Sequence, residues 1–188
     1  MQQNTPTFHR LPPSSPLGIA DNVPMNTRWK PNVTVASVVE KDGRYLLVEE
    51  HTREGLRLNN PAGHLDPFES PAQACARETL EETAHSFTPT ALVGIYLSRF
   101  QRPASGEDIT YLRMTFCGDL GDFHPERTLD TGIVRTVWMT PEEVRASVDR
   151  HRSPMVLRCI EDHLAGLRFP LAMIYTDPAV ANLPPLQR

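Results

Sequence analysis

Cysteine is scarce in this chain: Cys75, Cys117 and Cys159 are the only three. An odd, widely spaced set without a Cys-x-x-Cys pair argues against a disulfide framework. It reads instead as reduced thiols in a cytoplasmic protein. Lysine is scarcer still, with Lys30 and Lys41 alone and arginine supplying every other cation. Arginine suits bidentate recognition of oxyanions, although a compositional bias of the genome is the simpler account. No apolar run approaches membrane-spanning length, and the N-terminus has no h-region, so neither a membrane span nor a secretory leader is expected. A net charge of −4 speaks against a general nucleic-acid binder. No internal repeat is present, which excludes a solenoid.

What is there is an ordinary globular composition, with 39% hydrophobic and 22% charged residues over 188 positions. That is enough for one sizeable core. Residues 1–24 stand apart. Pro6, Pro12, Pro13, Pro16 and Pro24 lie among Asn, Gln, Ser and Thr without periodicity, the signature of a flexible extension. Met25 is an alternative start, and residues 25–188 read as a single domain. β-Branched runs at Asn32–Glu40 and Arg44–Glu50 flank Asp42-Gly43, a hairpin signal. Residues 51–60 read as a loop. Ala91–Phe100, Thr110–Cys117 and Ile133–Met139 read as strands. Gly118–Gly121 reads as a loop, and Gln101–Asp108, with Pro103 and Gly106, as a mobile one. Thr140-Pro141-Glu142-Glu143 is a capping box for a helix reaching Val148. Ser153-Pro154 opens another, with Val156, Ile160, Leu164 and Leu167 on one face. Strands in mixed order with one central and two closing helices predict an α/β/α sandwich around a mixed β-sheet.

The stretch that organises the chain is Pro61–Phe87. Ser70 suits an N-cap, Pro71 the first helical position and Gln73 the third position of a capping box. On the helix that follows, Ala72, Cys75, Ala76, Thr79, Leu80 and Thr83 gather on one face, and Glu78, Glu81 and Glu82 on the opposite one. Carboxylates at these spacings repel, and they lie where the macrodipole disfavours anions. Only Arg77 offsets them nearby. A solvated acidic face is the bland account. A hard divalent cation among the three glutamates, Mg²⁺ or Mn²⁺, is the better one.

The spacing decides between them. Gly63, five residues, Glu69, seven residues, Arg77-Glu78, two residues, Glu81-Glu82 resembles the Nudix box. Six of its polar or glycine positions match, while Thr79, Ala84 and His85 depart from it. The likeness continues through KPNVTVASVVEKDGRYLLVEE, NNPAGHL, YLRMTF and RSPMVLRCIEDHLAGLRFPLAMI. Over roughly Trp29–Tyr175 it is similar to the NudJ group of bacterial phosphatases within that family.

The resemblance implies a Nudix fold and a metal-dependent hydrolase of phosphoric anhydrides. Within it, Glu78 and Glu82 are the main metal ligands, Glu81 a further ligand or the base, and a carbonyl of Ala62 or Gly63 completes the shell. A plain turn glycine is the competing reading of Gly63. Arg77 pairs with Glu69 or Glu81 and orients the cluster. Glu69 stands behind it, or is merely a helix-start acid. On the strand YLRMTF, Tyr111, Arg113 and Thr115 share a face. Arg113 is either a phosphate clamp or a surface ion pair. Tyr111 and Trp29 are either ring-stacking groups or packing. Glu107, Glu126 and Asp130 are the loop acids available as a base, and His64 and His85 carry no assigned role. The implied activity is orthophosphate release from nucleoside di- or triphosphates, or from pyrimidine or thiamine pyrophosphates. The alternatives are a pyrophosphatase of nucleoside diphosphates linked to another group, such as ADP-ribose, and a nucleotide sensor. The expected partner is a small phosphorylated molecule, and the chain a monomer or homodimer.

Overall fold

The computed structural model describes residues 28–102 and 105–182, with a compact unit that begins at Pro31. The extension expected over residues 1–24, Met25 and Pro103 lie outside the described residues. In chain order the elements are β1 (Asn32–Val38), β2 (Glu40–Lys41), β3 (Arg44–Thr52), β4 (Gly55–Asn59), β5 (Ala62–His64), α1 (Pro71–Thr83), β6 (His85–Gln101), β7 (Asp108–Phe123), β8 (Ile133–Met139), α2 (Pro141–Ala146), α3 (Met155–Leu164) and β9 (Phe169–Pro170).

Two sheets form. One has the order β5-β1-β7-β6-β9 and is mixed, because β1 runs parallel to β7 while its other pairings are antiparallel. In the other, β3 pairs antiparallel with β2, β4 and β8. Asp42 and Gly43 turn the β2–β3 hairpin with φ of 53° and 75°, the two positive values a type I′ turn requires. The chain passes from the first sheet to the second at Val39.

Alternation along β1 and β3 divides the core between two helices. Val35, Val39 and Leu46 join Ala74 and Cys75 of α1 on one side. Val38, Tyr45 and Leu47 join Val144, Val156, Cys159 and Ile160 on the other. The sandwich is therefore α1, sheets, then α2 and α3, as the sequence predicts. All three cysteines are buried and unpaired, and burial pushes their thiols up. No helix among the described residues is long and apolar enough to cross a membrane.

Three local expectations are corrected. Residues 51–60 contain a strand, β4, whose partners on β3 supply the ladder bonds that its own short pattern did not advertise. Gly118–Gly121 lies inside β7 rather than in a loop. A Cβ on Gly118 would stand 2.0 Å from the Thr88 carbonyl oxygen, so this glycine marks a close backbone approach and not a turn. Leu164 and Leu167 do not join Val156 and Ile160 in the core, being 45% and 38% exposed.

Candidate active site

The site begins with the capping of α1. The Ser70 hydroxyl accepts from the Gln73 N–H and the Gln73 side chain accepts from the Ser70 N–H, a closed capping box with Pro71 at the first turn. Thr79, where the family pattern has an aliphatic residue, is fully buried. Its hydroxyl donates to the Cys75 carbonyl (2.7 Å) and is hydrogen-bonded with the Ser37 hydroxyl of β1 (2.9 Å). The substitution is thus matched by a polar partner across the interface. Ala84, where the pattern has glycine, ends the helix in the left-handed region at φ 57°, its N–H bonded to the Leu80 carbonyl. For a residue with a Cβ that conformation costs about 1–2 kcal/mol, which is why glycine suits the position.

Glu78 and Glu82 do not lie opposite the apolar face, as the helical wheel suggested. They are 8% and 9% exposed and share the buried side with Cys75 and Thr79. Only Glu81 stays half-exposed, beside Arg77. Burial pushes the Glu82 carboxyl up to about 8, opposed by the Ala62 N–H that it accepts at 2.9 Å. Burial also raises Glu78, with Arg77 acting against it.

The packing against β5 is close. A Cβ on Gly63 would fall 2.0 Å from Glu78 Cδ. Gly63 lies in a strand with no positive φ, so its lack of a side chain makes room for a carboxylate and not for a turn.

Arg77 gathers the acids. Its Nε and Nη2 form a bidentate pair with Glu69 at 3.0 and 2.6 Å. Nη1 reaches Glu78 at 2.7 Å and Glu81 at 3.0 Å, and Nη2 also reaches the His64 carbonyl at 3.0 Å. Glu69 in turn accepts from the Asp66 N–H. Arg77 therefore pairs with both Glu69 and Glu81, which the sequence left as alternatives.

A second group comes from far along the chain. On the α3 face of the mixed sheet, strand pairing sets His64, Thr34, Arg113 and Tyr96 in one row across four strands. Tyr96 donates to Asp162 of α3, and Thr115 lies 3.3 Å from Cys159. Asp162 also accepts from Arg158, so that carboxylate is taken. Arg113 Nη1 and Thr34 Oγ1 are enclosed without a hydrogen-bond partner among the described residues, as are Glu50 Oε1 and both polar atoms of the Asn60 side chain. Burial disfavours the charge on Arg113, and the nearby Glu82 and Glu50 carboxylates oppose that. Arg113 is not a surface ion pair.

Of the loop acids, Asp130 borders the site: its N–H donates to the Glu81 carbonyl, and its charge is felt by Glu78 and Glu82. Glu107 is instead paired with Arg102, and Glu126 lies 3.6 Å from His124. Glu50, Asn60 and Thr34 were missed in the sequence, where they look like ordinary strand and loop residues. Only the run NNPAGHL hinted at Asn60.

Among the described residues, no three acid, histidine or cysteine groups already stand close enough to hold an ion. Arg77 and the Ala62 N–H hold the carboxylates instead. The donor set still suits a hard cation, being all oxygen, with two enclosed carboxyls of which Glu82 has no cationic partner.

A family model for the NUDIX domain matches residues 28–159. The chain is 35% identical over 146 residues to Phosphatase NudJ of Escherichia coli K12, covering 78% of this chain and 92% of that one. Among solved structures it is similar to a NUDIX hydrolase from Nitrosomonas europaea, with TM-score 0.73 and 53% identity over 79% of this chain and 98% of that one. A MutT NUDIX hydrolase from Burkholderia pseudomallei shares the fold at TM-score 0.56 and 18% identity, over 71% of this chain and 98% of that one.

Proposed function

Because the chain belongs to the Nudix family and is a hydrolase of phosphoric anhydrides, we propose that it releases orthophosphate from nucleoside di- or triphosphates, or from pyrimidine or thiamine pyrophosphates. The observation that carries this reading is the pairing of an enclosed carboxylate couple, Glu78 and Glu82, with an arginine, Arg113, that has no carboxylate of its own. A buried guanidinium without a counter-charge is costly, and so is a buried carboxyl such as Glu82 whose only partner is the neutral Ala62 N–H. A phosphate oxyanion and a divalent cation would satisfy them together. Kinship to a relative called a phosphatase supports orthophosphate as the product.

Glu78 and Glu82 would hold the cation, Mg²⁺ or Mn²⁺, with Glu81 and a carbonyl of Ala62 or Gly63 as further oxygen donors. Such an ion neutralises phosphoryl charge and makes bound water more acidic. Arg77 orients Glu78 and Glu81 and, through Glu69, fixes the loop that leads into α1. Arg113 offers its free Nη1 to a phosphoryl oxygen, with Tyr111 beside it on the same strand face. Glu81, the most accessible of the three glutamates, accepts the proton of the attacking water. Glu50 Oε1 is a second free acceptor on the same side.

The test is a panel of phosphoric anhydrides assayed with Mg²⁺ or Mn²⁺ and scored for orthophosphate against pyrophosphate. Orthophosphate from simple nucleoside di- or triphosphates or thiamine diphosphate supports the reading. Turnover confined to ADP-ribose-like diesters would replace it with a pyrophosphatase, and binding without turnover with a sensor.

A further inference from the structure

On the α3 face, the row that contains Arg113 is flanked at its outer end by aromatic side chains from three strands. Tyr111 precedes Arg113 by two residues on β7, so it projects from the same face about 7 Å along the strand. Its ring centroid lies 6.2 Å from that of His64 on β5 and 6.1 Å from that of Phe100 on β6, and the Phe100 plane is within 7° of parallel to it. The pairings Ser98↔Tyr111 and Phe100↔Ile109, with no bulge between them, put Phe100 on that face too. Phe100 is 46% exposed and His64 is also open to solvent. The strip is therefore reachable, whereas Thr34 and the Arg113 Nη1 beside it are enclosed.

In the row next to Tyr111, Arg113 and Thr34 each hold an unpartnered polar atom. Phe100 brings no hydrogen-bonding group at all, and its ring plane is nearly parallel to that of Tyr111. A surface of this kind recognises flat rings by stacking and is tolerant of which ring it holds.

We propose that Phe100 is a specificity-determining residue. With Tyr111 and His64 it forms a stacking platform for an aromatic ring carried by the phosphorylated ligand. The protein then separates ring-bearing from ring-less phosphates and discriminates only weakly among rings. This rests on the reading of Arg113 as the phosphate contact, because the platform is defined by its place beside that residue.

Binding tests the two readings separately, since it needs no turnover. Cytidine 5′-monophosphate and ribose 5-phosphate are titrated into the full-length protein and into Phe100→Ala, Phe100→Trp and Arg113→Ala. The parent is expected to prefer the cytidine ligand by at least fivefold, within the range of about 5–150-fold that stacking of one base supplies. Phe100→Ala should lose that preference while keeping its affinity for ribose 5-phosphate, and Phe100→Trp should retain it. Adenosine and uridine monophosphates should bind the parent within a few-fold of cytidine. Arg113→Ala should weaken both ligands alike. Equal affinity of the parent for the ring-bearing and ring-less ligands overturns the inference, as does a Phe100→Ala variant with the preference intact. Ring-dependent binding without hydrolysis of any anhydride would leave the inference standing and remove the proposed activity.

Discussion

At the scale of single residues, the site depends on one missing atom and one busy guanidinium. Gly63 leaves the volume that the Glu78 carboxyl fills, since a Cβ would come within 2.0–2.2 Å of its three terminal atoms. Gly63→Ala should displace Glu78 and lower kcat by two orders of magnitude or more. That loss is about 2.7 kcal/mol of transition-state stabilisation, at 1.36 kcal/mol per tenfold. Far-ultraviolet dichroism should stay unchanged, and steady-state kinetics beside it makes the check. Glu82→Gln keeps the shape and removes the group that can ionise to hold a cation. Turnover should fall by orders of magnitude, and the metal-free melting temperature should be no lower than the parent's. Added Mg²⁺ should raise the melting temperature of the parent more than that of the variant. Equal shifts would remove Glu82 from the ligand set. These residues were legible in the sequence because they lie within 23 positions of one another on one strand, one loop and one helix. Thr34 and Glu50 were not, because strand pairing sets Thr34 opposite Arg113 and the packing of the two sheets brings the Glu50 charge near it.

Elements record where sequence patterns speak and where they are silent. The capping boxes of α1 and α2 formed as read, since Ser70, Gln73, Thr140 and Glu143 bond only within one turn. The acidic face of α1 was placed on the wrong side: at about 100° per residue Glu82 stands roughly 20° from Cys75 and Glu78 roughly 60° from it, so the angles alone set both beside the buried side. What the angles do not show is that β5 offers a glycine and a backbone N–H to receive the two carboxyls. β4 was missed because Gly55–Asn59 is short and gains its stability from β3. The α1–β1 contact supplies a test at this scale. Thr79→Val leaves Ser37 Oγ buried and unpaired, which should cost about 1–3 kcal/mol. The double variant Thr79→Val, Ser37→Ala removes both polar groups and should recover much of that loss. Chemical denaturation of the parent, both single variants and the double variant gives the coupling.

For the whole molecule, stability toward acid has a reporter remote from the glutamates. His163 of α3 is hydrogen-bonded to the Tyr45 hydroxyl of β3 at 2.9 Å. Burial, assisted by Arg168, pulls its pKa down to about 4. The folded protein thus keeps this imidazole neutral while the unfolded chain, near the ordinary 6.5, takes up a proton. The contribution is complete above pH 6.5 and is lost as pH falls toward 4. Over that window the loss should be on the order of 2–3 kcal/mol, at 1.36 kcal/mol per unit. His163→Gln should flatten it, as read from urea midpoints between pH 7 and 4.5. A slope unchanged by the substitution would place the acid sensitivity elsewhere.

The parallel pairing of β1 with β7 joins residues about eighty positions apart, and β3 meets β8 across a similar span. Contacts of such long range make folding slow, because loop closure must precede any gain from pairing. The acidic helix and its glycine strand leave the ribosome long before the strand that carries Arg113. A nascent chain ending before Asp108 already has every glutamate of α1 but lacks β7, the strand that joins β1 to β6 and carries Arg113. The two halves of the chemistry meet only in the last stages of assembly.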